Sequence, residues 1–398
     1  MKKLTLIVLA IALSVAVFQS CNEPLTEDLI GDELSLKSAS VAKSYIVVLN
    51  DAELNAELEN QKGYEAKQKV AKSAAEKIMK RAGITDGELG FVYGTAIKGF
   101  SVKIPPEQLK KLQDDPSVKY VEEDQIVTLV LPDAKVKAKP APTPVTETKP
   151  WGIIRVNGGT TYIGPNKIWI IDTGIDLDHP DLNVNAGLGW NFVANTPLAD
   201  DDNGHGSHCA GIAAAVDNNI GVIGVAAGAP VVPVKVLNRR GSGAYSTIIA
   251  GVDFVAENGV AGDVANMSFG GSYYQPINDA VIAAAKLGIV FALAAGNEGT
   301  SATTKSPASA EDDNIYTISA MATGDLWAYF SNYGNPPVDY CEPGVDIKST
   351  YKGGGYATMS GTSMAAPHAA GLLLLGNIRT NGYVIGDPDK KADPIGVH

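Results

Sequence analysis

Lys167-Ile168-Trp169-Ile170-Ile171-Asp172-Thr173-Gly174 is an apolar, β-branched run that closes on a carboxylate and a glycine. Such a run reads as a strand covered on both faces. Asp172 then sits at its carboxyl end, the edge where open α/β sheets carry their functional groups. Strand-like runs recur at 231–237, 264–268, 289–294 and 315–320, with helical stretches between them. That alternation predicts a parallel, doubly wound α/β sheet from Trp151 onward.

Two further segments stand out downstream: His205-Gly206-Ser207-His208-Cys209-Ala210-Gly211 and Gly361-Thr362-Ser363-Met364-Ala365-Ala366-Pro367-His368. A serine hydroxyl is a weak nucleophile at neutral pH. It needs a histidine to take its proton and a carboxylate to orient that histidine and stabilise its cation. Ser363, His205 and Asp172 are residues of those three types. With Ile171-Asp172-Thr173-Gly174, the segments resemble the signature motifs of the subtilisin family, in that family's order of Asp, then His, then Ser. The resemblance covers nearly all of residues 44–375. It implies an exported serine endopeptidase that forms its acyl-enzyme on Ser363, with His205 as general base and Asp172 orienting it.

The turn Asp200-Asp201-Asp202-Asn203-Gly204 before an Ala-rich stretch puts His205 at a helix N-terminus, where a cation is disfavoured and a neutral base is expected. His208 completes a His-x-x-His pair, but no Glu follows at zincin spacing and no third ligand is evident. It reads as structural, and no catalytic metal is expected. Cys209 shares the helical face of His205, so its thiol is expected beside the imidazole as a buried apolar filler. Ser363 precedes an apolar helical run, which makes its own N–H one oxyanion donor. Its surroundings read Gly-x-Ser-x-Ala with Ser last in chain order, unlike the Gly-x-Ser-x-Gly elbow of α/β-hydrolases.

Ala294-Ala295-Gly296-Asn297-Glu298-Gly299 resembles the family segment whose Asn supplies the second oxyanion donor, which implies that role for Asn297. Gly241-Ser242-Gly243 and Ser268-Phe269-Gly270 resemble the substrate-binding edges, with Ala294, Ala295 and Gly296 beside them. An extended peptide would lie between the edges as an added strand, hydrogen-bonded on both sides. Small residues there imply broad specificity. Ser207 stands where the family usually has Thr. Only 35 residues follow Ser363 (398 minus 363), so the terminal helices are expected to be abbreviated.

On the N-terminal side, Lys2 and Lys3 precede an apolar run to Phe18, the pattern of an export signal over residues 1–20. Cys21 follows Ser20 in a stretch that resembles a bacterial lipobox, although Phe18 and Gln19 depart from it. Two fates stay open: lipidation of Cys21 at the cell envelope, or plain secretion. Residues 22–43 are polar and acidic and read as a tether. Residues 44–128 order as strand, helix over 52–81, two strands, short helix, strand. This βαββαβ, ferredoxin-like α+β pattern resembles the inhibitory propeptide domain of subtilisin-like proteases. The resemblance implies that residues 122–128 lie in the cleft before autocleavage. Residues 129–150, with Pro, Lys and Thr, form an extended linker that suits a processing site, and 151–398 form the peptidase domain.

Composition limits the partners. Lys and Arg number 32 against 44 Asp and Glu, and the net charge of -12 repels phosphate backbones and anionic membranes. Protein or peptide substrates and the chain's own propeptide remain as partners. A membrane enters only through lipid on Cys21. Three cysteines exclude a disulfide-dense scaffold, and Cys209 and Cys341 are left either to pair or to stay free. The chemistry needs no cofactor. The resemblance allows structural calcium, for which Asp200, Asp201 and Asp202, or the loop around Asp339 and Asp346, offer oxygens; a solvated acidic turn explains them equally. Two rival functions share the sequence: a silent, protease-like binding protein, and an esterase-type acyl hydrolase.

Overall fold

The computed structural model describes residues 41–50, 52–131, 146–376 and 378–398. The export signal, Cys21, most of the tether and most of the Pro-rich linker lie outside them.

The strand Ile168–Asp172 forms as expected and lies inside an eight-stranded sheet. In spatial order the strands are Leu326–Trp327, Ile315–Ala322, Val290–Ala294, Val264–Met267, Ile168–Asp172, Val231–Lys235 and Trp190–Asn191, with Val338–Pro343 also beside Ile315–Ala322. Every neighbouring pair is parallel except the one that Leu326–Trp327 makes. From Ile168–Asp172 the chain winds to Val231–Lys235 on one side and then returns to Val264–Met267 on the other. That reversal leaves a crevice at the carboxyl end of Ile168–Asp172.

Successive side chains of this strand point to opposite faces. Ile168 and Ile170 pack with Ala210, Ala213, Ala365 and Ala369, residues of the helices His205–Ala214 and Thr362–Leu375. Trp169 and Ile171 pack with Ile248, Val252 and Ile277 of Tyr245–Asn258 and Gln275–Lys286. Each buried side chain of this size stabilises the fold by about 1.5–3 kcal/mol before entropy is counted. The alanines let the first pair of helices approach closely enough to set His205 and Ser363 over the crevice.

The first domain is an antiparallel sheet of Glu88–Tyr93, Gly99–Ile104, Lys43–Leu49 and Val118–Glu123 in that order, the ferredoxin-like arrangement. The single helix expected over 52–81 is two, Ala52–Glu59 and Tyr64–Arg81, because Gly63 turns left-handed at φ 86 between them. One sheet face packs on these helices through Val47, Phe100 and Ile104. The other, through Ile46, Val48 and Tyr93, joins the core made by Tyr245–Asn258 and Gln275–Lys286. After Leu375 the chain forms a hairpin, Arg379–Tyr383 with Pro394–Val397, in place of shortened terminal helices.

Candidate active site

Asp172 ends its strand fully buried and accepts the Thr173 N–H at 2.6 Å. His205 opens the helix His205–Ala214, and its Nδ1 lies 2.9 Å from each Asp172 oxygen. This approach needs Gly206: a Cβ there would stand 2.0 Å from the Gly174 carbonyl oxygen. The Gly206 N–H donates to Thr173 Oγ1 at 2.9 Å, which ties the helix start to the strand end.

Asp201 organises the turn between them. It accepts from Thr173 Oγ1, from the N–H groups of Asn203, Gly204 and Ser207, and from the Ser207 hydroxyl, all at 2.6–3.0 Å. Asp202 pairs with Lys235 at 2.6 Å, and Asp200 accepts the Leu177 N–H at 3.3 Å. In the turn considered for calcium, Asp201 thus has both oxygens taken by protein donors, while Asp200 and Asp202 each give one oxygen to such a donor. Ser207 Oγ also accepts the Asp176 N–H at 2.9 Å, so the hydroxyl that the family's Thr offers is in use.

Burial is the largest single influence on His205 and works against an imidazolium, but the Asp172 carboxylate and the Cys209 sulfur together outweigh it and push the ring well above its ordinary range. The Asp172 carboxylate, a full charge at 2.9 Å, thus acts on the ring against the partial charge of the helix N-terminus that sequence reading relied on. His208 does not face the cleft chemistry. Its Nε2 lies 3.1 Å from both the Ile347 and Ala357 carbonyl oxygens, and burial pulls its pKa down to about 3. It struts the hairpin of Ile347–Tyr351 and Gly355–Met359. The Cys209 thiol lies 3.9 Å from His205 Nδ1 and 3.5 Å from the Ser363 carbonyl oxygen, and burial pushes it up. Cys209 and Cys341 are both free.

Ser363 is the second residue of the helix Thr362–Leu375. Its hydroxyl donates to the Ser268 carbonyl oxygen at 2.7 Å, while His205 Nε2 is buried without a partner. The link between Ser363 and His205 is therefore open in this arrangement. Asn297 stands beside Ser363 in the same pocket, together with Phe269, Gly270, Ala294, Ala295 and Gly296. Thr362, which sequence reading missed, holds the Asn297 side chain: its N–H and hydroxyl donate to Oδ1 at 2.8 and 2.9 Å. Asn297 Nδ2 is then left to donate to the Val130 carbonyl oxygen at 2.8 Å.

The prodomain tail thus lies in the cleft. Ile126–Thr128 pairs antiparallel with Ser242–Ala244, and the Leu129 N–H donates to the Gly241 carbonyl oxygen at 2.9 Å. Among the described residues this ladder is one-sided, since Ile126–Thr128 pairs with no other strand. Ser268, Phe269 and Gly270 supply a pocket wall and the acceptor for Ser363. The occupying segment is also shifted from the expected 122–128: Val118–Glu123 belongs to the prodomain sheet, where it pairs with Lys43–Leu49. Val127 is buried at 2% exposure, whereas Val130 is 58% exposed.

Residues 166–377, more than half of the chain, match the subtilase family. The chain belongs to the subtilase family. Residues 44–130 of this subtilase match the peptidase inhibitor I9 family. It is 38% identical over 356 residues to the subtilisin-like serine protease Pen ch 13 of Penicillium rubens, spanning 86% of this chain and 81% of that protein. With the M-protease of Shouchella clausii it shares 39% over 282 residues, 69% and 68% of the two chains. A crystal structure of a cold adapted subtilisin-like serine proteinase matches with a TM-score of 0.51 at 37% identity, covering 56% of this chain and 83% of that one. This subtilase is a serine-type peptidase preceded by an inhibitor domain.

Proposed function

We propose that this subtilase is the precursor of an endopeptidase that cuts its own Val130–Leu131 bond and then hydrolyses other peptides through an acyl-enzyme on Ser363. The observation that carries the reading is the Val130 carbonyl, which accepts from Asn297 Nδ2 at 2.8 Å beside Ser363. A donor in that place stabilises the charge that develops on a carbonyl oxygen under attack. Leu131, beyond it, packs with Ile153, Cys209 and Met364, so both sides of the bond are held.

His205 donates from Nδ1 to Asp172, which leaves the lone pair of Nε2 available. The Ser363 hydroxyl turns from Ser268 to Nε2 and passes its proton there as Oγ bonds to the carbonyl carbon. Asn297 Nδ2 and the Ser363 N–H hold the oxyanion. The imidazolium, stabilised by Asp172, returns the proton to the departing amine, and water repeats the cycle to free the acid. Gly241, Ser242 and Gly243 bind the substrate backbone as an added strand, with Ser268, Phe269 and Gly270 as the opposite wall. Because Cys21 precedes the prodomain, cutting after Val130 would release the peptidase from lipid carried there. The intact set of Asp172, His205 and Ser363 disfavours a silent scaffold, and the peptide ladder disfavours an esterase.

The test is mass spectrometry of the wild type and Ser363→Ala after treatment with a fluorophosphonate. The wild type is expected to carry the label on Ser363 of a fragment that starts at Leu131 or, after trimming, within 132–150, and the variant to stay whole and unlabelled. An intact, unlabelled wild type would overturn the reading. A fragment starting before Leu131 would refute the bond while leaving the nucleophile.

A further inference from the structure

The pocket that Ser363 and Val130 line has apolar walls in Phe269 and Ala308 and a charged one in Lys305 and Glu298, two groups that the chemical steps leave unused. Both are held from outside the cleft. Lys305 lies in the short strand Lys305–Ser306, which pairs with Gly271–Ser272, and its carbonyl oxygen accepts the Ser309 N–H at 3.0 Å. Glu298 follows Asn297 directly. Its N–H donates to Asn332 Oδ1 at 3.2 Å, its Oε2 accepts from Asn332 Nδ2 at 2.8 Å, and Asn332 is fully buried.

Lys305 Nζ stands 3.0 Å from Glu298 Oε1, and both side chains are partly buried. Each oxygen of the carboxylate therefore has a donor. The ammonium carries three N–H groups, and among the described residues Glu298 is its single partner. The spare polar capacity of this wall is thus donor capacity. An apolar side chain seated against it would strip water from an ammonium and return no acceptor, whereas a side chain ending in an oxygen would make a charge-assisted hydrogen bond. The chain's own Val130 brings only methyl groups to this pocket and stays exposed.

We infer that Lys305 selects the residue on the amino side of the cut bond, and that the peptidase cuts after glutamine or glutamate in preference to leucine or lysine. This rests on the proposal that Ser363 attacks the carbonyl held by Asn297. The side-chain oxygen of the substrate takes the free N–H groups of Lys305. Glu298 holds the ammonium in place and offsets part of its charge, so an amide is received at least as well as a carboxylate. A basic side chain meets the ammonium and is turned away.

The wild type, expressed as the full chain and processed by its own activity, is assayed on peptides Ile-Val-Thr-Leu-X that carry a chromogenic amide after X. The first four residues copy those that precede Val130. Active sites are counted with a fluorophosphonate. kcat/KM is expected to be about tenfold higher with Gln or Glu at X than with Leu, and lowest with Lys. In Lys305→Met the advantage of Gln over Leu should vanish, and Lys should rise because Glu298 is uncovered. If Lys305→Met does not fold, Glu298→Gln serves: with the competing carboxylate gone, Glu should move ahead of Gln. Leu level with or ahead of Gln and Glu in the wild type would overturn the inference. An unchanged order in the folded variant would overturn its assignment to this ion pair. Absence of both cleavage and label would overturn the underlying proposal that Ser363 cuts peptides, and this inference with it.

Discussion

Asn297 is held twice by Thr362 and spends its remaining group on a carbonyl in the cleft. A pre-aimed donor of this kind stabilises charge without reorganising when charge appears. Asn297→Ala is expected to lower kcat by about 10²–10³-fold with KM little changed, the cost known for the same donor in subtilisin, a relative. Steady-state kinetics on a peptide ester would read it. His205 sets the pH response. Its pKa is raised by Asp172, and only the neutral ring accepts the Ser363 proton, so activity is absent below the raised pKa and grows as pH climbs through it. The acid limb of kcat/KM should therefore have its midpoint above the ordinary ~6.5 of histidine. A midpoint at or below that value would refute the strength given to the Asp172 contact. Asp172, His205 and Ser363, the residues proposed for the chemistry, stand out in the sequence because each sits in a short motif. Thr362 is not, because its role depends on a partner 65 residues away that only folding brings near.

At the scale of elements, the central strands are legible to within two residues, since burial on both faces writes a continuous apolar run. The helix over 52–81 is overextended because its composition favours helix throughout, and the break rests on one glycine at positive φ. The tail strand Ile126–Thr128 has no pattern of its own; it is a strand because Ser242–Ala244 pairs with it. The Asp200–Asp202 turn is opaque in another way. Acidic side chains suggest a cation, but Asp201 collects N–H and hydroxyl donors from its own turn and helix start, a use that composition cannot reveal.

Across the whole molecule, the prodomain is bound by its sheet face and by one buried carboxylate. Asp253, on the helix Tyr245–Asn258, accepts the N–H groups of Gly94, Thr95 and Ala96 and the side chain of Gln68. Glu257, one turn on, takes Lys67 at 2.5 Å. Burial pushes the Asp253 pKa up to about 6 in this association, against an ordinary value near ~3.9 once the prodomain has left. The bound state therefore holds the proton more tightly than the free one. Association is favoured at low pH and weakens as pH rises from ~4 through about 6, beyond which it is flat. Dissociation of the cut prodomain, followed across pH 4–8, should show that slope in the wild type and lose it in Asp253→Asn. A slope of opposite sign would refute the account.

The exposed Val130 side chain gives this arrangement a tempo. Main-chain pairing and the Asn297 contact hold the Val130 carbonyl in the pocket that Ser363 lines, while Val130 itself stays 58% exposed. Binding energy from a seated side chain is what speeds bond cleavage in a good substrate. If the chain is cut after Val130 as proposed, that first turnover is expected to be slow beside the cleavage of a peptide whose side chain is seated, a delay written into residue 130.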